Sequence, residues 1–401
     1  NNGGTLGVND FGLTIGGTSV TSGQSVSLVA GTPVVINEAG SPAYDFVSIT
    51  GTGCPVSLGG TVTPVDGQTI TCTITNDDKP ATLIVNKVLT NNNGGTKTVQ
   101  NFSYKINGGS SVPFEADASN SNSLSAGTYS VAEVADSGYT TTYSNSQNAN
   151  ANCTNLVIPN GGTATCTITN DDKPGTLIVN KLLTNDNGGT KTVQNFSYTV
   201  NGGLPVAFET DASNSQTVNA GSYSVVEVTD NDYTTTYGNS LNNNANCSNL
   251  VIPNGGQATC TITNNDIAPK LTLNKILVKD NGGNASESDW ELTASGVGDI
   301  GQISGLGAAG SADVVSDDAT FKAGTYTLSE SAGPSGYTAS AWSCSGGKSP
   351  NANNQITLNL GDDVTCTITN DDKAPSLKLV KKVVNDNGGK KAPADWTLSA
   401  A

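Results

Sequence analysis

A chain of 401 residues could bury one large core or several small ones, but 47 glycines, only 5% aromatic residues and many Asn, Thr and Ser favour short strands and tight turns over long helices. The absence of histidine and methionine removes the usual neutral-pH base and the usual transition-metal ligand. With 18 Lys and Arg against 34 Asp and Glu, the net charge of −16 repels nucleic acid and anionic lipid and keeps a long polymer soluble.

The chain opens on polar Asn1, Asn2, Gly3 and Gly4, with no signal-peptide pattern, and reads as an internal window of a longer precursor. These four residues match Asn92 through Gly95, which follow the first strand of the next repeat. Residues 1–79 are therefore expected to form a β-sandwich domain lacking its first strand. Here Val34, Ile36 and Glu38 share one face of a period-2 strand, and Cys72, Ile74 and Asn76 share another.

Residues 80–173 show the full pattern. Leu83, Val85 and Lys87 alternate with Ile84 and Asn86; Tyr129, Val131 and Glu133 form a second row; Cys166, Ile168 and Asn170 form a third, opposite Thr165, Thr167 and Thr169. The stretch 156–166, LVIPNGGTATC, reads as a hairpin turning at Asn160, Gly161 and Gly162. If the chain passes from pole to pole of the domain, its first and last strands run the same way and can pair in parallel, placing Lys87 near Asn170.

The pattern then repeats. TLIVNK ends at Lys87 and Lys181 and returns as LTLNK ending at Lys275; CTITNDD starts at Cys72, Cys166 and Cys366, with CTITNND at Cys260. A period of about 100 residues suits small independent domains rather than a solenoid. Domains are thus expected at 174–268 and 269–373, with 374–401 supplying the opening strands of a further repeat. Polar NDDKP segments serve as short linkers, so the expected architecture is an all-β rod of tandem sandwiches. The tail carries Lys381 behind Leu377 and Leu379, with Lys382 facing the other way. Either a continuous array was cut there, or the tail strand completes the first domain of another chain.

Each inward row ends in a residue foreign to a dry core: Lys87, Glu133 and Asn170; Lys181, Glu227 and Asn264; Lys275, Glu330 and Asn370. The ends carry incomplete sets, Glu38 with Asn76, and Lys381 alone. Isolated buried charges are too costly, so these groups must be paired, neutralised or at the rim. One resolution is an isopeptide bond in which a neutral lysine amine attacks the asparagine carboxamide, with glutamate shuttling protons. The other is a Lys–Glu ion pair with the asparagine hydrogen-bonded to it.

The eight cysteines sort into one pair per domain, Cys54 with Cys72, Cys153 with Cys166, Cys247 with Cys260 and Cys344 with Cys366, expected as disulfides in a secreted protein. Two thiols per domain without histidine do not make a zinc site. At the domain poles Asp171 and Asp172, and Asp280, Asp371 and Asp372, could hold calcium, although solvated linker charge explains them as well. Asn101, Asn152, Asn195, Asn246 and Asn284 sit in glycosylation sequons. Trp290, Trp342 and Trp396 read as core or rim aromatics, Trp290 and Trp396 in the slot of Phe102 and Phe196.

LIVNK at 83–87, YSVAEVADSGY at 129–139, TITND at 167–171 and YTLSESAGPSGY at 326–337 resemble the prealbumin-like CnaB or SpaA-type domains of bacterial surface proteins. That resemblance implies a bond from the first-strand lysine to the last-strand asparagine, assisted by the glutamate, at the three complete sets above. It also implies a stalk, adhesin shaft or pilus subunit.

No phosphate loop, nucleophile elbow or apolar membrane span is present, so the expectation is a non-enzymatic structural component of an extracellular filament, stalk or sheath. Its partners would be copies of itself or other surface proteins. Two alternatives remain open: an adhesin whose loops bind a host or glycan ligand, for which the Trp-bearing fourth domain is the nearest candidate, and an accessory binding module of a secreted enzyme.

Overall fold

The computed structural model describes residues 1–148, 152–241, 246–298, 300–308, 314–316 and 321–400. Among these, the regular structure is β-strand apart from four single-turn 3₁₀ segments. By backbone contacts the chain divides into two compact units, residues 1–178 with 215–223 and 249–258, and residues 179–214 with 224–248 and 259–401.

In the first unit, the second sandwich shows how alternation becomes architecture. The opening strand Ala81–Thr90 buries Ala81, Leu83, Val85 and Lys87, and the closing strand Thr163–Asp172 buries Ala164, Cys166, Ile168, Asn170 and Asp172. The two pair in parallel, with Cys166 opposite Val85 and Ile168 opposite Lys87. Ser119–Leu124 flanks the opening strand and Tyr139–Asn145 the closing strand, both antiparallel. The facing layer contains Val131–Glu133, Ser103–Ile106 and Ser111–Pro113, together with the pair Gly127–Tyr129 and Leu156–Ile158. Between the layers lie Leu83, Val85, Tyr104, Phe114, Val131, Leu156, Ile158 and Ile168. The hairpin joining Ser103–Ile106 to Ser111–Pro113 turns at Asn107 and Gly108, with φ of 48° and 69°, the left-handed pair that a tight hairpin requires.

The stretch 156–166 is a turn but not a hairpin. Gly162 donates to Pro159 O at 2.9 Å, yet Leu156–Ile158 pairs with Gly127–Tyr129 while the next strand joins the other layer. The turn therefore carries the chain between layers. A period-2 pattern specifies which side chains face inward and says nothing about which sheet holds the strand.

The first sandwich follows a reduced plan. One sheet is ordered Thr18–Val20, Leu13–Ile15, Val34–Glu38, Thr61–Val62, and Tyr44–Thr50 pairs antiparallel with Thr73–Asp78.

In the second unit, the fourth sandwich repeats the parallel pair with Lys270–Val278 and Asp363–Asp372, Lys275 lying opposite Ile368. Its facing sheet is ordered Gln302–Leu306, Glu291–Gly296, Gly324–Glu330, Gln355–Leu358. Trp342 packs in this core, and Trp290 is 2% exposed. In the third sandwich Tyr233–Asn239 pairs with Gln257–Asp266, and Ser197–Val200 pairs with Val225–Glu227, as their counterparts do. Residues 374–384, expected to supply an opening strand, form none, and Leu377 and Leu379 are exposed. Alternation alone does not make a strand; a partner must satisfy its backbone.

The eight cysteines form four disulfides, Cys54–Cys72, Cys153–Cys166, Cys247–Cys260 and Cys344–Cys366. Cys153, Cys166, Cys247, Cys260 and Cys366 lie in the core. Among the described residues no helix is long and apolar enough to cross a membrane. Replacing Cys247 and Cys260 together by serine should destabilise the third sandwich by about 3 kcal/mol. Scanning calorimetry should show one transition moved to lower temperature and the others in place.

Candidate functional site

Three buried clusters form where the inward rows end. In the second sandwich Lys87 Nζ donates to Glu133 Oε1 at 2.6 Å, with the two side chains 0% and 1% exposed. Glu133 reaches across from the facing layer, and its second oxygen accepts from Thr141 Oγ1 at 2.8 Å. The backbone N–H of Glu133 is held by the Tyr143 hydroxyl. Asn170 projects from the same face of the closing strand, two residues beyond Ile168, and is fully buried. Its Nδ2 and Oδ1 have no hydrogen-bond partner.

The other two sets repeat this plan. In the third sandwich Lys181 Nζ contacts both Glu227 Oε1 and Asn264 Oδ1, and Thr235 Oγ1 donates to Glu227 Oε2. In the fourth, Lys275 contacts Glu330 Oε1, while Asn370 Nδ2 donates to Glu330 Oε2 at 3.1 Å. The incomplete set in the first sandwich also converges, with Asn76 Nδ2 donating to Glu38 Oε1 at 2.6 Å and Glu38 6% exposed.

An aromatic ring completes each complete cluster. Lys87 Nζ lies 4.4 Å from the centroid of Phe102, Lys181 Nζ 4.2 Å from Phe196, and Lys275 Nζ 4.6 Å from Trp290. Lys381 stands in the same relation to Trp396, at 4.3 Å. The ring follows a 3₁₀ turn closed by the residue before it: Thr98 N–H donates to Asn101 Oδ1, and Ser286 N–H to Asp289 Oδ2. The shared slot of these aromatics is legible in NFSY and DWEL, but its use as a lid on the lysine is not. The ring attracts the ammonium while excluding water. Because Trp290 and Trp342 are buried, they offer no exposed aromatic surface for a ligand.

Burial pushes the Lys87 and Lys181 amines below the ordinary lysine value, against the opposing pull of the Glu133 and Glu227 carboxylates. A desolvated amine beside a proton acceptor and a carboxamide is an arrangement for nucleophilic attack, because the neutral form carries the lone pair.

At the pole of each sandwich the carboxylate expected to be solvated linker charge is an anchor. Asp172 is 2% exposed. It accepts from the backbone N–H groups of Asn92 at 2.8 Å, Asn93 at 2.9 Å and Gly95 at 2.6 Å. Asp78 takes N–H groups of Asn2 and Gly4, Asp266 those of Asp186, Asn187 and Gly189, and Asp372 those of Asn281 and Gly283. The loop needs both glycines. Gly94 has a φ of +86°, and a Cβ there would meet Ala220 O at 2.4 Å; a Cβ on Gly95 would meet the Tyr139 hydroxyl at 2.6 Å. NDD therefore ends the closing strand, and the joint shrinks to Lys79 and Pro80, or Lys173 and Pro174.

Asp280, Asp371 and Asp372 bring ligand oxygens within 4.8 Å of one another. Both oxygens of Asp372 already accept backbone N–H groups, so this carboxylate serves as a backbone clasp. The N–H groups of Asn2 and Gly4 hold the Asp78 carboxyl at about 2. For Asp172, burial pushes upward, but Gly95, Asn93, Asn92 and Asn254 together hold the carboxyl below its ordinary value.

The chain belongs to the prealbumin-like fold domain family, whose model matches residues 78–168, 172–262, 266–368 and 372–401. Among solved structures it is similar to the Bacillus anthracis TIE protein, with 16% identity and a TM-score of 0.42 over 85% of this chain and 57% of that one. It is also similar to the pilus adhesin SpaC of Lactobacillus rhamnosus GG, with 16% identity and a TM-score of 0.24 over 79% of this chain and 46% of that one. Two B repeat units of the Staphylococcus aureus collagen binding protein match at 17% identity and a TM-score of 0.23, over 83% of this chain and 95% of that one. The chain thus spans about half the length of the first two. No curated protein matches it.

The lowered pKa values of Asp78 and Asp172 mean that their clasps contribute stability above the ordinary carboxyl pKa of about 4, and that it is lost as pH falls through the folded value. Unfolding followed between pH 5 and pH 2 should show this loss. Asp172→Ala should cost about 2 kcal/mol at neutral pH by freeing the 91–95 loop, and should flatten the acid dependence of the second sandwich.

Proposed function

We propose that the chain is a load-bearing segment of an extracellular filament, stalk or sheath, and that its second, third and fourth sandwiches are each closed by a lysine–asparagine isopeptide bond. The observation that carries this reading is the burial together of an amine from the opening strand, a carboxamide from the closing strand and a carboxyl reaching across from the facing layer. Force applied at the two ends of such a sandwich shears those strands past each other, and a covalent bond between them would bear the load.

The proton passes from Lys87 Nζ to the Glu133 carboxylate, which low-dielectric surroundings favour because two charges disappear. The free electron pair on Nζ attacks Cγ of Asn170. The carboxyl proton then moves to Nδ2, the Cγ–Nδ2 bond breaks, a second Nζ proton returns to the carboxylate, and ammonia leaves. One amide replaces another, no oxidant is needed, and the orphaned Nδ2 of Asn170 is removed. Positioning supplies the rate, since the three groups are held together by the fold. The lysine is consumed, so the site acts once and is not an enzyme active site.

Four disulfides, with no free cysteine among the described residues, support a location outside the reducing cytosol. Partners of such a segment are copies of itself or other surface proteins, and family membership supports that class of role.

Intact mass after full reduction tests the chemistry. The expected chain is lighter than its sequence by one ammonia for each of the three complete sets, and an unmodified mass would refute the bonds. Glu133→Gln should restore one ammonia in the second sandwich alone, and bond formation should quicken as pH rises towards the lowered lysine pKa.

A further inference from the structure

The joints between sandwiches are hydrogen-bonded interlocks, and they are not equivalent. At the first, Ala126 N–H donates to Asn2 O, and the Asn160 side chain donates to Asn2 O at 2.9 Å, Lys79 O at 3.1 Å and Asp78 Oδ2 at 3.3 Å. At the second, Ala220 N–H donates to Asn93 O at 2.7 Å, and Asn254 donates to Asn93 O at 3.2 Å, Lys173 O at 3.1 Å and Asp172 Oδ2 at 3.1 Å. One carboxamide from the following sandwich thereby ties together three acceptors of the preceding one. One of those acceptors is the carboxylate that clasps the preceding sandwich's own loop.

At the third joint the backbone contacts persist. Ala323 N–H donates to Asn187 O at 2.8 Å, and Gly361 N–H to Ile267 O at 2.9 Å, as Gly255 N–H does to Lys173 O at 3.2 Å. The carboxamide does not persist. PNGG at 253–256 aligns with NLGD at 359–362, so Leu360 stands where Asn160 and Asn254 stand at the other joints. Leu360 has no donor to offer Asp266 or the two carbonyls. It lines a cavity of about 410 Å³ together with Gly188, Lys191, Asp232, Ala323 and Asn359.

We infer that the joint between the third and fourth sandwiches is a built-in compliant joint, set by Leu360 in place of the bridging asparagine, whereas Asn160 and Asn254 lock the first two joints. A hydrogen bond to a buried carboxylate is among the stronger polar contacts, and without it two backbone hydrogen bonds, among the described residues, cross the joint. Bending concentrated at one joint would let a stiff array reorient its end without opening any sandwich. This inference is independent of the isopeptide bonds.

Hydrogen exchange in the full-length chain reads joint opening directly, because the amides of Ala220, Gly255, Ala323 and Gly361 each donate across a joint. In the native chain Ala323 and Gly361 should exchange roughly tenfold faster than Ala220 and Gly255, matching one lost charge-assisted hydrogen bond. Leu360→Asn should slow Ala323 and Gly361 by a similar factor, and Asn254→Leu should speed Ala220 and Gly255, with exchange of the closing strands unchanged in both. Equal exchange at the two joints of the native chain would overturn the inference, as would a folded Leu360→Asn variant with unaltered exchange. Should either variant disturb the closing strands, the comparison within the native chain still decides.

Discussion

The structure is organised around a lysine amine with no access to water. An ammonium in that position is too costly to keep unless acceptors surround it, and a neutral amine is a nucleophile. The surroundings of Lys87 answer that constraint: Glu133 from the facing layer, Phe102 as a lid, Thr141 and Tyr143 fixing the glutamate, and Asn170 from the neighbouring strand. Parallel pairing of opening and closing strands puts Lys87 opposite Ile168 and Asn170 two residues further along the same inward face. That pairing in turn makes the two ends of the domain the elements that tension would load.

The inward face of the closing strand carries most of the specification. Cys166, Ile168, Asn170 and Asp172 occupy alternate positions, so all four point the same way. The first is a disulfide partner of Cys153, the second packs the core opposite Lys87, the third belongs to the buried cluster, and the fourth clasps the loop that follows the opening strand. Spacing by two is a requirement of the strand, so the same four inward positions recur in CTITNDD from Cys72 and Cys366 and in CTITNND from Cys260.

That clasp extends the construction from one sandwich to the next. Asp172 holds the 91–95 loop by backbone N–H groups, and the same loop presents Asn93 O to Ala220 of the following sandwich. Gly94 is needed both for its left-handed backbone and for the close approach of Ala220. Folding of one sandwich therefore prepares the docking surface for its neighbour. A single side chain, asparagine at 160 and 254 and leucine at 360, then sets how firmly each joint closes.

Much of this was legible in the residues. Alternation with a period of two fixed which side chains are inward, so Lys87, Glu133 and Asn170 could be picked out as foreign to a dry core, and their recurrence at three places marked them as a set. Cysteine pairing by repeat was legible for the same reason. The 156–166 stretch reads as a hairpin from its residues because inward parity is the same whichever sheet a strand joins. NDD passed for linker charge because carboxylates in a polar run look solvated until the N–H groups that engage them are located. By itself, then, the sequence determined the faces of the strands, the repeat and the unusual residues, because those depend on local geometry. Only the tertiary structure decided the sheet partners, the aromatic lid, the clasped loops and the unequal joints, because each depends on contacts between segments far apart in the chain.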